Sequence, residues 1–205
     1  MEWRTLGEVC CFSCPFKCDL VGKPTIKMAT CASNKYCVWP DNNFYLKLGI
    51  EASIISSDHN YLHEGFVYVD FSCRNLKLFT NRAWLDNLEK TQLKIILISD
   101  KSMQPLALYW KKRSSEIVSI VNLDGTKAEI DMGLLYPSRY HKGLKVEHGK
   151  LNDAEVKVLD LMFNVKTIEQ ISKILDINLK KTYGIKRLLQ QKMGGKGRLH
   201  TIISR

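Results

Sequence analysis

The chain has no apolar run approaching the roughly 18 residues that a membrane span requires, so its sequence gives no candidate helical anchor. Its first residues lack a basic stretch followed by a clean apolar core and a small-residue cleavage site, so a cytoplasmic protein is expected, away from the membrane. There is no phosphate-cradling Gly loop, no His-x-x-x-His pair and no mixed His and Asp ligand spacing. The five histidines, His59, His63, His141, His148 and His200, lie scattered. Catalysis and a resident cofactor are therefore not expected. Internal repeats and low-complexity tracts are also missing, which sets aside solenoids and disordered tails.

Cysteine is the exception to this scarcity. Of seven, six fall in residues 1–37, and Cys10, Cys11, Cys14 and Cys18 crowd into nine positions. An odd count without an export signal points to reduced thiols rather than bridges. Cys11 and Cys14 make a C-x2-C and Cys14 and Cys18 a C-x3-C, but no second pair stands at zinc-finger distance and no His accompanies them. No metal ligands are assigned; a metal- or redox-sensing role for this cluster stays open as the second reading of the chain.

Charge is the more informative total. Of the formal net +10, residues 145–205 hold 13 Lys and Arg against 6 Asp and Glu, about +7. A small basic segment at one end is the electrostatic footprint of a polyanion binder. Pattern divides the chain the same way. Residues 1–37 show little periodicity. From 38 to 144, "FVYVDF" (66–71), "LKIILIS" (93–99) and "EIVSIV" (116–121) read as short buried strands, and helical segments separate them. Strand and helix in alternation predict a parallel sheet covered by helices on both faces. A Gly- and His-containing linker (140–150) follows, and residues 145–205 contain no further strand.

The last segment predicts four helices. Asn152 with Glu155 three residues on has the form of a capping box, and Val156, Leu159, Met162 and Phe163 then share one helix face. Thr167 opens a second helix with Ile168, Ile171, Ile174 and Leu175 inward. Asn178 caps a third, running to about Met193, and "KGRLHTIIS" (196–204) is a short fourth. In the third helix Thr182, Ile185, Leu189 and Met193 point to the core, while Lys180, Tyr183, Gly184, Arg187 and Gln191 cluster opposite. Arg and Gln can read guanine and adenine edges; Lys180, Lys181 and Lys186 suit phosphates, which position without reading sequence. Short helices joined by a tight turn before a basic one form a helix-turn-helix outline.

Residues "LNDAEVKVLDLMF…TIEQISKILDINLKKTYGIKRLLQQKMG" align without gaps to the LuxR/GerE-type helix-turn-helix pattern and resemble it at Leu151, Glu155, Val158, Leu159, Ile171, Leu175, Ile177, Lys180, Lys192 and Gly194. The resemblance implies that Tyr183, Gly184 and Arg187 lie against base edges. It departs at Lys181, Thr182 and Ile185, which bears on the phosphate contacts and the sequence read.

The middle region resembles a response-regulator receiver domain, whose pocket the resemblance would build from Asp41, Asp70 as phosphoacceptor and Ser99. Asn42 stands where a second acidic residue belongs, and Asn122 and Leu123 where the receiver has its lysine, so a degenerate pocket without regulated phosphorylation is expected. Residues 28–193 further resemble enterobacterial fimbrial-operon regulators of the EcpR type. Since that likeness starts at Met28, residues 1–27 are expected to be a loosely attached extension, or to lie upstream of the true start. Together these resemblances imply a transcription regulator, an activator of an adhesion operon, acting on double-stranded DNA. They also imply a homodimer or a heterodimer with a related regulator, and RNA polymerase as a further partner.

Overall fold

The computed structural model describes residues 7–14, 16–23, 28, 31, 35–56, 65–137, 149–164 and 167–194. Most of the expected linker and the expected fourth C-terminal helix lie outside these residues.

Four strands, β1 (Tyr36–Trp39), β2 (Phe66–Phe71), β3 (Lys94–Ser99) and β4 (Ile117–Asn122), form a parallel sheet in the order β1-β2-β3-β4. Their alternating side chains build two cores. On one face Val67, Val69, Phe71, Ile95 and Leu97 meet α2 (Ala83–Glu89), α3 (Gln104–Lys111) and a 3₁₀ turn (Cys73–Phe79). On the other, Tyr68, Ile96, Ile98 and Val121 meet α1 (Phe44–Ser56) and α4 (Lys127–Leu135). A parallel sheet is stable only when both faces are dry, and the apolar runs of β2 and β3 satisfy that demand. The helical segment expected between β2 and β3 is divided into this 3₁₀ turn and α2. Asn75 Nδ2 donates to the Asp70 carbonyl (3.1 Å), and Asn81 Oδ1 accepts from the Ala83 amide (3.1 Å). These local bonds compete with the helical ladder.

The N-terminal segment is not loosely attached. Val9 and Cys11 are buried in the first core together with Leu20. Cys11 pairs antiparallel with Cys37 and Cys10 with Asp19. The Phe12 amide donates to the Tyr36 carbonyl (2.8 Å), the Leu20 amide to the Val9 carbonyl (2.9 Å). This segment covers the open edge of β1, where unpaired peptide groups would otherwise face water or another chain.

Beyond residue 149 the described residues form three helices: α5 (Asp153–Asn164), α6 (Ile168–Ile174) and α7 (Leu179–Lys192). Each start is capped as its sequence predicts. Asn152 and Glu155 exchange side chain-to-amide bonds (2.8 and 2.9 Å), Thr167 and Gln170 do the same, and Asn178 Oδ1 accepts from the amide of Lys180 (2.7 Å). The turn between α6 and α7 closes with Ile177 N–H on Ser172 C=O (3.0 Å) and Asp176 N–H on Lys173 C=O (3.3 Å), and Asp176 has φ +51°. That is a Schellman closure, with Asp, which tolerates the left-handed region better than most residues, where Gly is usual.

Helix α5 also docks on the sheet domain. Tyr109 Oη donates to Asp153 Oδ1 (3.0 Å), Arg113 pairs with the same carboxylate while lying 3.6 Å over the Tyr109 ring, and Thr80 Oγ1 donates to Asp160 (2.6 Å). Leu151 N–H donates to the Pro105 carbonyl (3.2 Å). Burial and Asp153 together raise the Tyr109 phenol's pKa, which keeps it a donor.

One carboxylate ties the start of α5 to the end of α7. Glu155 is 1% exposed, yet it caps α5 and receives Lys192 Nζ on both oxygens (2.8 and 2.9 Å), while Lys192 also reaches the Lys150 carbonyl (3.1 Å). Losing one partner of a buried ion pair costs about 3–5 kcal/mol. Lys192→Met should therefore lower unfolding stability by about that amount in urea titration, and a loss within experimental error would contradict the pair's role. In the turn, Asp176→Val should destabilise, because a β-branched residue at positive φ is strained, while Asp176→Gly should not. The two midpoints in one denaturation series check it.

Candidate functional site

Two regions carry the chemistry-bearing residues. The first is the outer face of α7, a helix with five basic residues and no acidic one. Thr182, Ile185, Leu189 and Met193 are buried against α5 and α6, the inward face expected from the 3.6-residue period. Lys180, Lys181, Tyr183, Gly184, Arg187 and Gln191 are all exposed, and Lys186 is half-buried. Apart from Lys192, none of the basic side chains of α7 has an ion-pair partner among the described residues. The sheet domain contacts α5 and leaves this face open. Ile174, expected inward, is 57% exposed. Helix α6 ends there, and half-buried Leu175 and Ile177 take up its contact with the core.

Gly184 sits mid-helix, and a Cβ added there would meet nothing within 4 Å. No internal packing requires a glycine at a position where it costs about 1 kcal/mol relative to Ala.

The second region is the carboxyl edge of the sheet, where α/β proteins commonly hold ligands. Asp70, at the end of β2, is 1% exposed. Its Oδ2 accepts from Asn43 Nδ2 (3.0 Å), while Oδ1 has no hydrogen-bond partner among the described residues. Asp41 does not share this cluster of bonds; it is paired with Lys47 at 2.6 Å. Ser99 is fully buried and donates to the Asp100 carbonyl (2.9 Å). Asn42 Nδ2 donates to Asn75 Oδ1 (3.0 Å), and Asn75 holds the Asp70 backbone. Neutral amides thus stand where divalent-cation chemistry would need carboxylate oxygens. The strand β4 ends at Asn122 with Leu123 next, so no cation arrives from that side.

Asn43 and Asn75 are the residues that the sequence reading missed. The only signal available was the run of Asn after β1 and the "RN" after β2, which resembles turn chemistry and nothing more. Helix α4 was also missed, although Thr126 and Glu129 form a legible capping box. Among the described residues no group of three or more His, Cys, Asp and Glu side chains is placed to hold a metal ion, and no helix is long and apolar enough to cross a membrane.

Residues 10–135, more than half of the chain, match the family model described as the EcpR N-terminal domain. The match begins within the cysteine cluster and runs on through α4. The chain is also 32% identical over 189 residues to the uncharacterized protein YqeH of Escherichia coli K12, covering 91% of this chain and 89% of that one. No solved structure matches.

With Asp70 held by an amide and no lysine at the end of β4, the pocket should not accept a phosphoryl group. Incubation with acetyl phosphate and magnesium, followed by intact-mass measurement, should leave the mass unchanged. An acid-stable, base-labile adduct mapped to Asp70 would contradict that reading of the pocket.

Proposed function

The chain belongs to the EcpR N-terminal domain family, and from that premise we propose that it is a sequence-specific regulator of transcription that binds double-stranded DNA through α7. The observation that carries this reading is the outer face of α7: exposed basic and amide side chains without acidic neighbours, arranged around a glycine that the fold itself does not need. In the helix-turn-helix mode such a helix enters the major groove, with Arg187 and Gln191 on base edges and Lys180, Lys181 and Lys186 on phosphates. Tyr183 lies beside Gly184 and would contact base edges or sugar where the missing side chain lets the backbone come close.

The α5, α6, α7 arrangement, with its caps and tight turn, supports the LuxR/GerE-type assignment that the sequence pattern implies. The Asp153 and Asp160 contacts support an arrangement in which the sheet domain holds α5 and leaves the reading face free. Binding then does not wait on phosphorylation, consistent with the amide-filled pocket. We assign the sheet domain the role of a platform for dimerisation, with itself or a related regulator, so that two reading helices meet half-sites about one helical turn apart. Activation of a fimbrial or adhesion operon, through contact with RNA polymerase in the cytoplasm, is the finer form of the proposal.

In gel-shift titrations against a preferred and a scrambled site, Arg187→Ala should lose about 1–3 kcal/mol of discrimination. Lys180→Ala should weaken both sites alike and reduce the salt slope by about 1. Parent-like binding by both variants would overturn the assignment of this face. Gly184→Ala separates stability from function: it should stabilise the free protein by about 1 kcal/mol and still weaken DNA binding. Gain of stability without loss of binding would leave the glycine unexplained.

A further inference from the structure

Cys11 and Cys37 face each other across the sheet edge. They are partners in an antiparallel bridge, and the flanking bond from the Phe12 amide to the Tyr36 carbonyl makes them a non-hydrogen-bonded pair. In that register opposed Cα atoms stand about 4.5 Å apart, and side chains come closest. A disulfide needs Cα atoms at about 4.4–6.8 Å. As directly opposed partners their side chains lie on the same side of the ladder. Both are buried, Cys11 to 5% and Cys37 to 0% exposure, and both are unbridged in the structure. Cys11 Sγ donates to Ser13 Oγ (3.3 Å), which also accepts from the Tyr36 amide (2.9 Å) and so ties the segment to β1.

We propose that Cys11 and Cys37 are a modification site: a dithiol that a hydroperoxide converts to a cross-strand disulfide, fastening the N-terminal segment to β1. The polarity of the pair decides which sulfur reacts first. Contacts with Cys37, Ser13 and the backbone lower the Cys11 pKa, while the same contact and burial raise that of Cys37. Neighbouring Cys10 is raised by burial and by Glu8 and Asp19, so it is the poorer nucleophile. The Cys11 thiolate attacks one peroxide oxygen, the O–O bond breaks, and Cys11 sulfenic acid and hydroxide form. Cys37 then attacks the Cys11 sulfur; the S–S bond forms, the S–O bond breaks, and the second hydroxide leaves with the Cys37 proton as water. Two thiols supply two electrons, and hydrogen peroxide is reduced to two waters. The pair lies at the edge of the sheet, where local opening admits the small oxidant to buried thiols.

This proposal is independent of the DNA-binding reading. It is tested on the full chain carrying Cys10→Ser, Cys14→Ser and Cys18→Ser, which removes the neighbouring thiols. Reduced protein is exposed to a small excess of hydrogen peroxide, alkylated, and mapped without reduction. The expected result is loss of two titratable thiols and one cross-linked pair joining the Cys11 and Cys37 peptides, reversed by dithiothreitol. When Cys37→Ala is added to that chain, dimedone should instead trap Cys11 as sulfenic acid. Free Cys11 and Cys37 after Cys31 or Cys73 has oxidised would overturn the proposal. So would dimedone labelling of other cysteines with Cys11 left unlabelled.

Discussion

What α7 presents to the outside depends on a carboxylate that never reaches it. Glu155 is buried at the start of α5, and its charge is tolerable there only because Lys192 and the Asn152 amide donate to it. Lys192 lies in the last turn of α7, so this pair joins the first helix of the segment to the end of the third. Rotation of α7 about its axis would break the pair and lift Thr182, Ile185 and Leu189 out of the core. The exposed set from Lys180 to Gln191 is the geometrical remainder of that constraint. Asp153 and Asp160, on the same α5, fasten the segment to Tyr109, Arg113 and Thr80. One helix therefore sets both where the segment sits and which way its basic face looks.

The sheet domain has a receiver-like outline, a four-stranded parallel sheet flanked by helices. Its strands deliver Asp70 and Ser99 to the carboxyl edge, but Asn43, Asn42 and Asn75 occupy the surroundings with amide hydrogen bonds. An amide binds one oxygen of the Asp70 carboxylate and brings none of the negative charge that metal capture requires. Its remaining features are structural: an aromatic cluster in which Phe71 stacks on Phe79 at 4.1 Å and Trp84 meets Trp110 edge-on at 5.8 Å, running toward the surface where α5 docks. A rigid support for the three-helix segment is what this construction provides.

How much was legible in the sequence followed from the range of the interaction. The strand "FVYVDF" matches β2 from Phe66 to Phe71, and the caps at Asn152, Thr167 and Asn178 are local signals that the structure repeats. The inward side of α7 was legible for the same reason, since a 3.6-residue period needs no partner to be seen. The inward side of α6 was not, because a seven-residue helix ends before its pattern at Ile174 finds a neighbour. Asp70 was legible as a residue and its surroundings were not: the bond from Asn43 spans 27 positions. The cysteine cluster misled most. Its spacing suggests ligands and its position an appendage. Its physical role comes from Cys11 meeting Cys37 across the sheet edge, a pairing without periodic signature.

Genome-wide mapping of bound DNA in living cells tests the central claim most directly. The account predicts a small number of strongly enriched sites sharing a paired motif with half-sites about one helical turn apart, lost when Arg187 is replaced by Ala. A chain that is expressed and folded yet enriches no site, or enriches the same sites without Arg187, would contradict it.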